Sequence, residues 1–407
     1  MKKFSTLTVF LLLCMAWSYA AGIDMQIHWG TKDAQLKSPT TAGKQKNYYT
    51  GDYTPEALRA LSGDELFGAL NTLMGNTCLL KERGLDYGTL RYAYANVDKD
   101  LNTSGNIIGY YDGQSMNGTW DAGKTFNREH TWPQVKFKGS YSSGTGIPMG
   151  YDMQSVRPAS TAVNSERGSA AYGETGKCYD PDDIAINNSL YNPAHLGSYR
   201  GDCARVILYD YVVYGSKGGY SNKMYDSKVK ADLLAQLSSN GVFESLRILL
   251  KWHMNDPVSL TEMVRNDGAQ EYQGNRNPFI DYPELAIQML KNAGNITTYE
   301  VTVNGSTMMP AYSLTLADGF IAYMGTKASR PAEVTVTGAQ YSYDNTSGRL
   351  TISKVTGPVT ITASTPEAIE MTEDGTQAFK IIHNGQIVII KNGKAYTPYG
   401  ALVGDIR

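Results

Sequence analysis

Apolar residues recur at helical spacing near the start of the chain. Leu58, Leu61, Leu66, Leu70, Leu73 and Met74 follow a 3.6-residue repeat and read as a core-facing stripe. Thr54 before Pro55 is a helix-start signal, because proline fits a first turn whose N–H has no partner anyway. Ser62-Gly63-Asp64 interrupts the stripe and predicts the cap of a second helix, and Leu90 to Tyr94 continues the apolar face. Asn106 to Tyr111 then predicts a strand, Asp112-Gly113 a turn, and Thr119 onward a second extended stretch towards Phe126. Pro158 is placed to open a helix that carries Asn164 in its interior and ends at Gly168. Asp202 to Tyr214 reads as a strong helix, and others are predicted over 226–239, 243–253, 257–271 and 281–291.

The period changes near residue 295. Tyr299 to Gly305, Val334 to Gly338, Leu350 to Ser353 and Val359 to Thr362 alternate, which predicts strands of a small sandwich. Phe379 to Tyr396 reads as a hairpin around Lys391-Asn392-Gly393. The expected class is therefore α+β. The organisation predicted is a signal segment over 1–21, an extended lead-in over 22–50, a helix-rich catalytic domain over 51–294, a β-rich accessory domain over 295–365 and a tail over 366–407.

The N-terminus predicts export. Met1-Lys2-Lys3 is basic, Phe10 to Met15 lies in an apolar core, and Ser18-Tyr19-Ala20-Ala21 offers small residues for cleavage. That run is too short to span a bilayer, and no other stretch is a candidate. A secreted, periplasmic or cell-surface location follows. Beyond Cys14 the chain has Cys78, Cys178 and Cys203. Cys178 and Cys203 are candidates to pair across a loop, and three free thiols is the equal alternative.

Of the 407 residues, 42% are hydrophobic and 19% charged, and the net charge is −2. This suits a globular protein and gives no general basic excess for nucleic acid. Any positive potential must be local.

Candidate chemistry lies in Phe126-Asn127-Arg128-Glu129-His130-Thr131-Trp132-Pro133-Gln134. Glu129 is a hard oxygen ligand suited to Mg²⁺, with Mn²⁺ or Ca²⁺ as alternatives. His130 is suited to general-base work near neutral pH. In a strand the two side chains point to opposite faces, so one can serve a metal and the other a nucleophile. Downstream, Asn164 offers a neutral oxygen where asparagine is a poor helix former, and Arg157 and Arg167 offer guanidiniums for phosphate. Arg128 and Arg205 are further candidates for substrate contact. Arg200, Asp202 and Arg205 fit an ion-pair network equally well. His253 reads as a packed structural histidine and His195 as a loop residue. Asp180-Pro181-Asp182-Asp183 reads as a solvated acidic loop rather than a Ca²⁺ site. Gln273 to Pro278 reads as a rigid turn bracing the metal helix.

These ordered stretches resemble the endonuclease I family of secreted bacterial nucleases, of the ββα-metal (His-Me finger) class. Asn127-Arg128-Glu129-His130-Thr131-Trp132-Pro133 follows the family's first motif closely. Asp152 to Pro158 follows the second but has Gln154 and Ser155 where a histidine is usual. Val163-Asn164-Ser165-Glu166-Arg167-Gly168 follows the third, with Ser169 in place of asparagine. The resemblance covers roughly residues 50–291. It implies a ββα finger core surrounded by helices, and a metal-dependent, largely sequence-non-specific endonuclease acting on DNA, RNA or both and leaving 5′-phosphate ends. The final segment resembles C-terminal tails of secreted proteins from Bacteroidetes-type bacteria, which implies a sorting or surface-docking contact. The alternative reading is a catalytically weak nucleic-acid-binding or surface adhesion protein on the same scaffold.

Overall fold

The computed structural model describes residues 47–100, 102–183, 198–229, 237, 241–325, 329–364, 378–383, 386–391, 394–396 and 402–405. The signal segment, most of the lead-in, His195 and most of the helix expected over 226–239 lie outside them.

The helices are α1 (Pro55–Ala60), α2 (Gly63–Thr77), α3 (Tyr87–Val97), α4 (Gln134–Phe137), α5 (Thr161–Arg167), α6 (Arg200–Tyr214), α7 (Leu246–Asn255), α8 (Leu260–Gln273), α9 (Pro278–Asp281) and α10 (Leu285–Leu290). Thr54 caps α1 by accepting from Ala57 N, as its position before Pro55 predicts. Asp86 and Thr89 form a capping box that starts α3. The central element is α6, buried from Gly201 to Tyr214. A helix buried on every side carries apolar and polar residues all round, and each polar one needs a protein partner. Truncating Leu208 there would cost about 2–5 kcal/mol.

Four short strands accompany these helices: β1 (Asn106–Ile108), β2 (Ser115–Asn117), β3 (Phe126–His130) and β4 (Val156–Ser160). β1 pairs with β2 and β3 with β4, both antiparallel. Three details differ from the sequence reading. The second strand is Ser115–Asn117, and Thr119 to Thr125 bends. Residues 226–229 form a turn. Pro158 lies in β4 opposite Arg128, and helix α5 starts at Ser160, whose side chain accepts from Val163 N. Proline is tolerated because β4 is an edge strand. Its carbonyl still accepts from Tyr110 N.

From Tyr299 onward the described elements are strands. β5 (Tyr299–Asn304), β6 (Met308–Met309), β7 (Leu314–Thr315), β8 (Phe320–Met324), β9 (Val334–Thr337), β10 (Gln340–Asp344), β11 (Arg349–Ser353) and β12 (Val359–Ala363) form two four-stranded sheets. Their orders are β10-β11-β8-β6 and β7-β5-β12-β9, with β5 and β12 parallel. Phe320, Met324, Leu350, Ile352, Val359 and Ile361 of the two sheets are buried in one core. That core joins the helical one; Arg247 of α7 pairs with Asp318 beside β8 at 2.6 Å. A third antiparallel sheet joins β13 (Ala378–His383), β14 (Gln386–Lys391), β15 (Lys394–Tyr396) and β16 (Leu402–Asp405). The expected hairpin is the β14–β15 pair of that sheet. Among the described residues no helix is long and apolar enough to cross a membrane.

Candidate active site

The β3–β4 pair sits between two helices. Phe126, Arg128 and His130 face α3, where Phe126 meets Tyr94 and both Arg128 and His130 lie against Tyr87. Asn127 and Glu129 alternate to the other side, where Glu129 meets Arg167 of α5. β3 has a strand partner only on its β4 side, so residues from both faces meet at its open edge. There they line a cavity of about 420 Å³ that includes Arg128, Glu129, His130, Gln134, Asn164 and Arg167.

His130 is held by its backbone neighbours. Its Nε2 lies 2.9 Å from the carbonyl of Gly150, an acceptor only, so Nε2 carries the proton. The lone pair is then on Nδ1, where the Gln134 side-chain amide donates at 3.1 Å. Burial pushes the imidazole pKa down to about 4 from 6.5, and Arg167 and Arg128 add to the effect. The ring is therefore neutral at physiological pH, with its Nδ1 lone pair unprotonated. Gly150 is a required glycine, since a Cβ there would collide with the Gly144 carbonyl.

Glu129 is buried, and burial raises its pKa against the pull of Arg167 and Tyr111. Tyr111 donates to Glu129 Oε1 at 2.7 Å, and Arg167 Nη1 lies 3.1 Å from the same oxygen. Tyr111 has φ +77°, a region that bulky side chains rarely adopt. Local strain is thus spent on aiming a hydroxyl at this carboxylate. Asn164 is half-buried and lines the cavity, and its amide makes no side-chain hydrogen bond among the described residues. α5 ends just beyond it, at Gly168 with φ +55°. One carboxylate and one unengaged amide oxygen form a hard, all-oxygen donor set of the kind Mg²⁺ and Ca²⁺ take. Among the described residues no group of three or more His, Cys, Asp or Glu side chains could hold a metal, so any cation here draws its other ligands from water or substrate.

The arginines divide sharply. Arg128 lines the cavity, donates to the Tyr87 carbonyl at 2.7 Å and has no carboxylate partner among the described residues. Arg167 also lines the cavity, but its guanidinium is 1% exposed and donates to the carbonyls of His130 and Thr131. It orients the acid–histidine pair from behind. Arg157 is buried on Asp98 and stacked over Tyr110 at 4.4 Å, away from the cavity. Arg205 is fully buried among Glu262, Asp202 and Asp256, which gives it to the ion-pair network rather than to substrate. Arg200 pairs with Asp180 and Asp182, so those carboxylates hold a cationic side chain.

The two positions that depart from the second family motif lie outside the cavity. Gln154 donates to Asn266 at 2.8 Å, and Ser155 donates to the buried carboxylate of Asp210. Gln273 braces this same turn, accepting from Met153 N and donating to Asp152. The turn it braces leads into β4 rather than touching α5. The cysteines do not pair: Cys78, Cys178 and Cys203 are buried free thiols, and Tyr110 donates to Cys203 Sγ at 3.4 Å.

Sequence reading missed Tyr111, Gly150 and Gln134. Gln134 stands in the same stretch as His130, but with His130 ending a strand and Pro133 between them no helical spacing links the two. The Gly150 carbonyl gave no signal in the sequence, because a backbone acceptor carries no residue type.

Known proteins supply the class and then the family. Over 294 residues the chain is 29% identical to an extracellular ribonuclease of Bacillus subtilis (strain 168), covering 68% of this chain and 95% of that protein. It is 33% identical over 234 residues to an extracellular ribonuclease of Bacillus amyloliquefaciens, covering 55% of this chain and 73% of that one. The class is that of the nucleases. Residues 77–284 match the family described as Endonuclease I. The chain belongs to the endonuclease I family. No solved structure matches it.

Proposed function

We propose that the protein is an exported, metal-dependent endonuclease with His130 as general base, built on a ββα-metal finger of β3, β4 and α5. The observation that carries this reading is the His130 tautomer. The Gly150 carbonyl fixes the proton on Nε2 and leaves the Nδ1 lone pair facing Gln134, and His130 and Gln134 line the cavity that Glu129 and Asn164 also line.

Nδ1 takes a proton from a water, which attacks phosphorus in line with the leaving 3′-oxygen. Glu129 and Asn164 would hold the divalent cation, and that cation would offset negative charge on the phosphate and the leaving oxygen. Arg128 steadies a phosphate from the open side. Arg167 favours the ionised form of Glu129 against the effect of burial and holds the carbonyls of His130 and Thr131. Tyr87, stacked on the imidazole at 5.5 Å, limits its rotation. The product ends are 5′-phosphate and 3′-hydroxyl. Water is the nucleophile, so no ribose hydroxyl is needed and both DNA and RNA serve. The relatives named as extracellular ribonucleases support an RNA activity and a secreted location.

The test is cleavage of supercoiled plasmid and of a structured RNA by the mature chain, with Mg²⁺ and with EDTA, beside His130→Ala. Mg²⁺-dependent cutting that the variant loses supports the reading. Equal cutting by both proteins would falsify it.

A further inference from the structure

A ladder of alternating rings and guanidiniums runs along α3 from the surface to the cavity. At its outer end Tyr92 is 65% exposed, and Arg91 lies over its ring at 5.0 Å. Arg91 also faces the Trp120 ring at 5.7 Å. Arg128 lies 4.9 Å from the centre of the Trp120 ring and 3.6 Å from that of Tyr87. Tyr87 in turn stacks on His130 with the rings 19° from parallel. Helical spacing puts Tyr87 and Arg91, four residues apart, on one face of α3.

The charges on this ladder differ from those of the molecule's buried arginines. Arg157, Arg205 and Arg276 each bind a buried carboxylate. Arg91 and Arg128 have no carboxylate partner among the described residues, and the Nε of each is buried without a hydrogen bond. A purely structural ladder leaves two cations uncompensated on a chain of net charge −2. A phosphodiester strand supplies the missing anions, and its bases supply partners for the rings.

We propose that Tyr92, Arg91, Trp120, Arg128 and Tyr87 form a binding strip for a single-stranded nucleic acid that feeds the cavity. Bases stack on the Tyr92 and Trp120 rings, and phosphates pair with Arg91 and Arg128. Bases inside a duplex have both faces covered by their neighbours, so the strip selects unpaired segments: single strands, loops and ends. The strip deepens the nuclease reading above and rests on it only for what happens at the inner end.

The experiment separates the two. Anisotropy of a fluorescein-labelled oligo-dT is measured with the full chain in EDTA, so that binding is read without cutting. A fully paired duplex with no loop is the comparator. Trp120→Ala and Tyr92→Ala are expected to weaken oligo-dT binding roughly five- to a hundredfold, Tyr92 at the lower end, with a much smaller change for the duplex. Trp120→Phe should recover most of the loss. Arg91→Ala should lower the salt slope for oligo-dT by about 0.7. With Mg²⁺ present, KM for oligo-dT should rise in Tyr92→Ala while kcat holds. Tyr92 is exposed, so its variant stays informative if Trp120→Ala fails to fold. Unchanged oligo-dT binding in both Tyr92→Ala and Trp120→Ala, or equal losses on duplex and single strand, would overturn the strip. Loss of binding in these variants combined with undiminished cutting by His130→Ala would sink the catalytic assignment and leave the strip standing.

Discussion

The protein contains two histidine sites built almost alike. In the cavity, His130 gives its Nε2 proton to the Gly150 carbonyl. Behind α6, His253 gives its Nε2 proton to the Pro283 carbonyl at 2.8 Å. Burial depresses both, His130 to about 4 and His253 to about 3, and an arginine adds to each shift. Each lies near an ion pair, Glu129–Arg167 in one case and Glu262–Arg205 in the other. The difference is at Nδ1. His253 Nδ1 is buried with no hydrogen-bond partner, whereas His130 Nδ1 is met by the side-chain amide of Gln134, a residue that lines the cavity. Residue type, tautomer and depressed basicity are therefore shared by a structural and a candidate catalytic histidine. Access to the lone pair is what separates them.

That comparison can be broken by exchanging the consequences of mutation. His130→Ala is expected to lower the cutting rate on the order of 10²–10⁴-fold with a modest effect on folding. His253→Ala should do the reverse, losing about 1–3 kcal/mol of stability by stranding the Pro283 carbonyl, with the folded fraction still cutting. Plasmid nicking and urea midpoints on both variants decide it; stable, inactive His253→Ala would erase the distinction.

The arginines extend the contrast. Arg205→Ala leaves Glu262, Asp202 and Asp256 without their cation and should cost about 3–5 kcal/mol. Arg128→Ala should leave the urea midpoint nearly unchanged and raise KM. A pH effect of comparable size is expected. His253 has a folded pKa of about 3 against 6.5 unfolded. Above pH 6.5 neither state holds the proton. Between pH 6.5 and 3 the unfolded chain binds it first, so stability falls as pH falls, by about 1.4 kcal/mol per unit. Stability of His253→Gln should fall less steeply with acid over this range than that of wild type, which thermal melts at several pH values read. Asn164→Ala should shift the Mg²⁺ concentration for half-maximal cutting upward more than it changes the rate at saturation. Smallest of all, dithiothreitol should leave Tm unmoved, because the three described cysteines are free thiols.

The site's first line of residues was legible in the sequence because its chemistry is local. Glu129 and His130 are adjacent, and Asn164 declares itself as an asparagine in mid-helix. The α6 helix was legible too, from an apolar run that needs no partner to be recognised. Arginine roles were not. Arg128, Arg157, Arg167 and Arg205 all carry the same fork of donors, and whether one meets phosphate or a buried carboxylate depends on residues far along the chain, such as Asp98 for Arg157 and Glu262 for Arg205. Pro158 misled for a related reason: proline is equally at home at a helix start and on an edge strand, and only pairing with β3 decides which.

Arg167 has a further consequence, for the order in which things bind. Its contact with Glu129 makes that pair electrically neutral before any cation arrives. A dication held by Glu129 and Asn164 would therefore leave two positive charges that no side chain of that pair offsets, an unfavourable resting state. A phosphodiester cancels that surplus. Cation and substrate then strengthen each other's hold by the same factor, as linkage requires. An idle enzyme of this design would let its metal go readily and recruit it together with the strand, so its working metal affinity belongs to the ternary complex rather than to the protein.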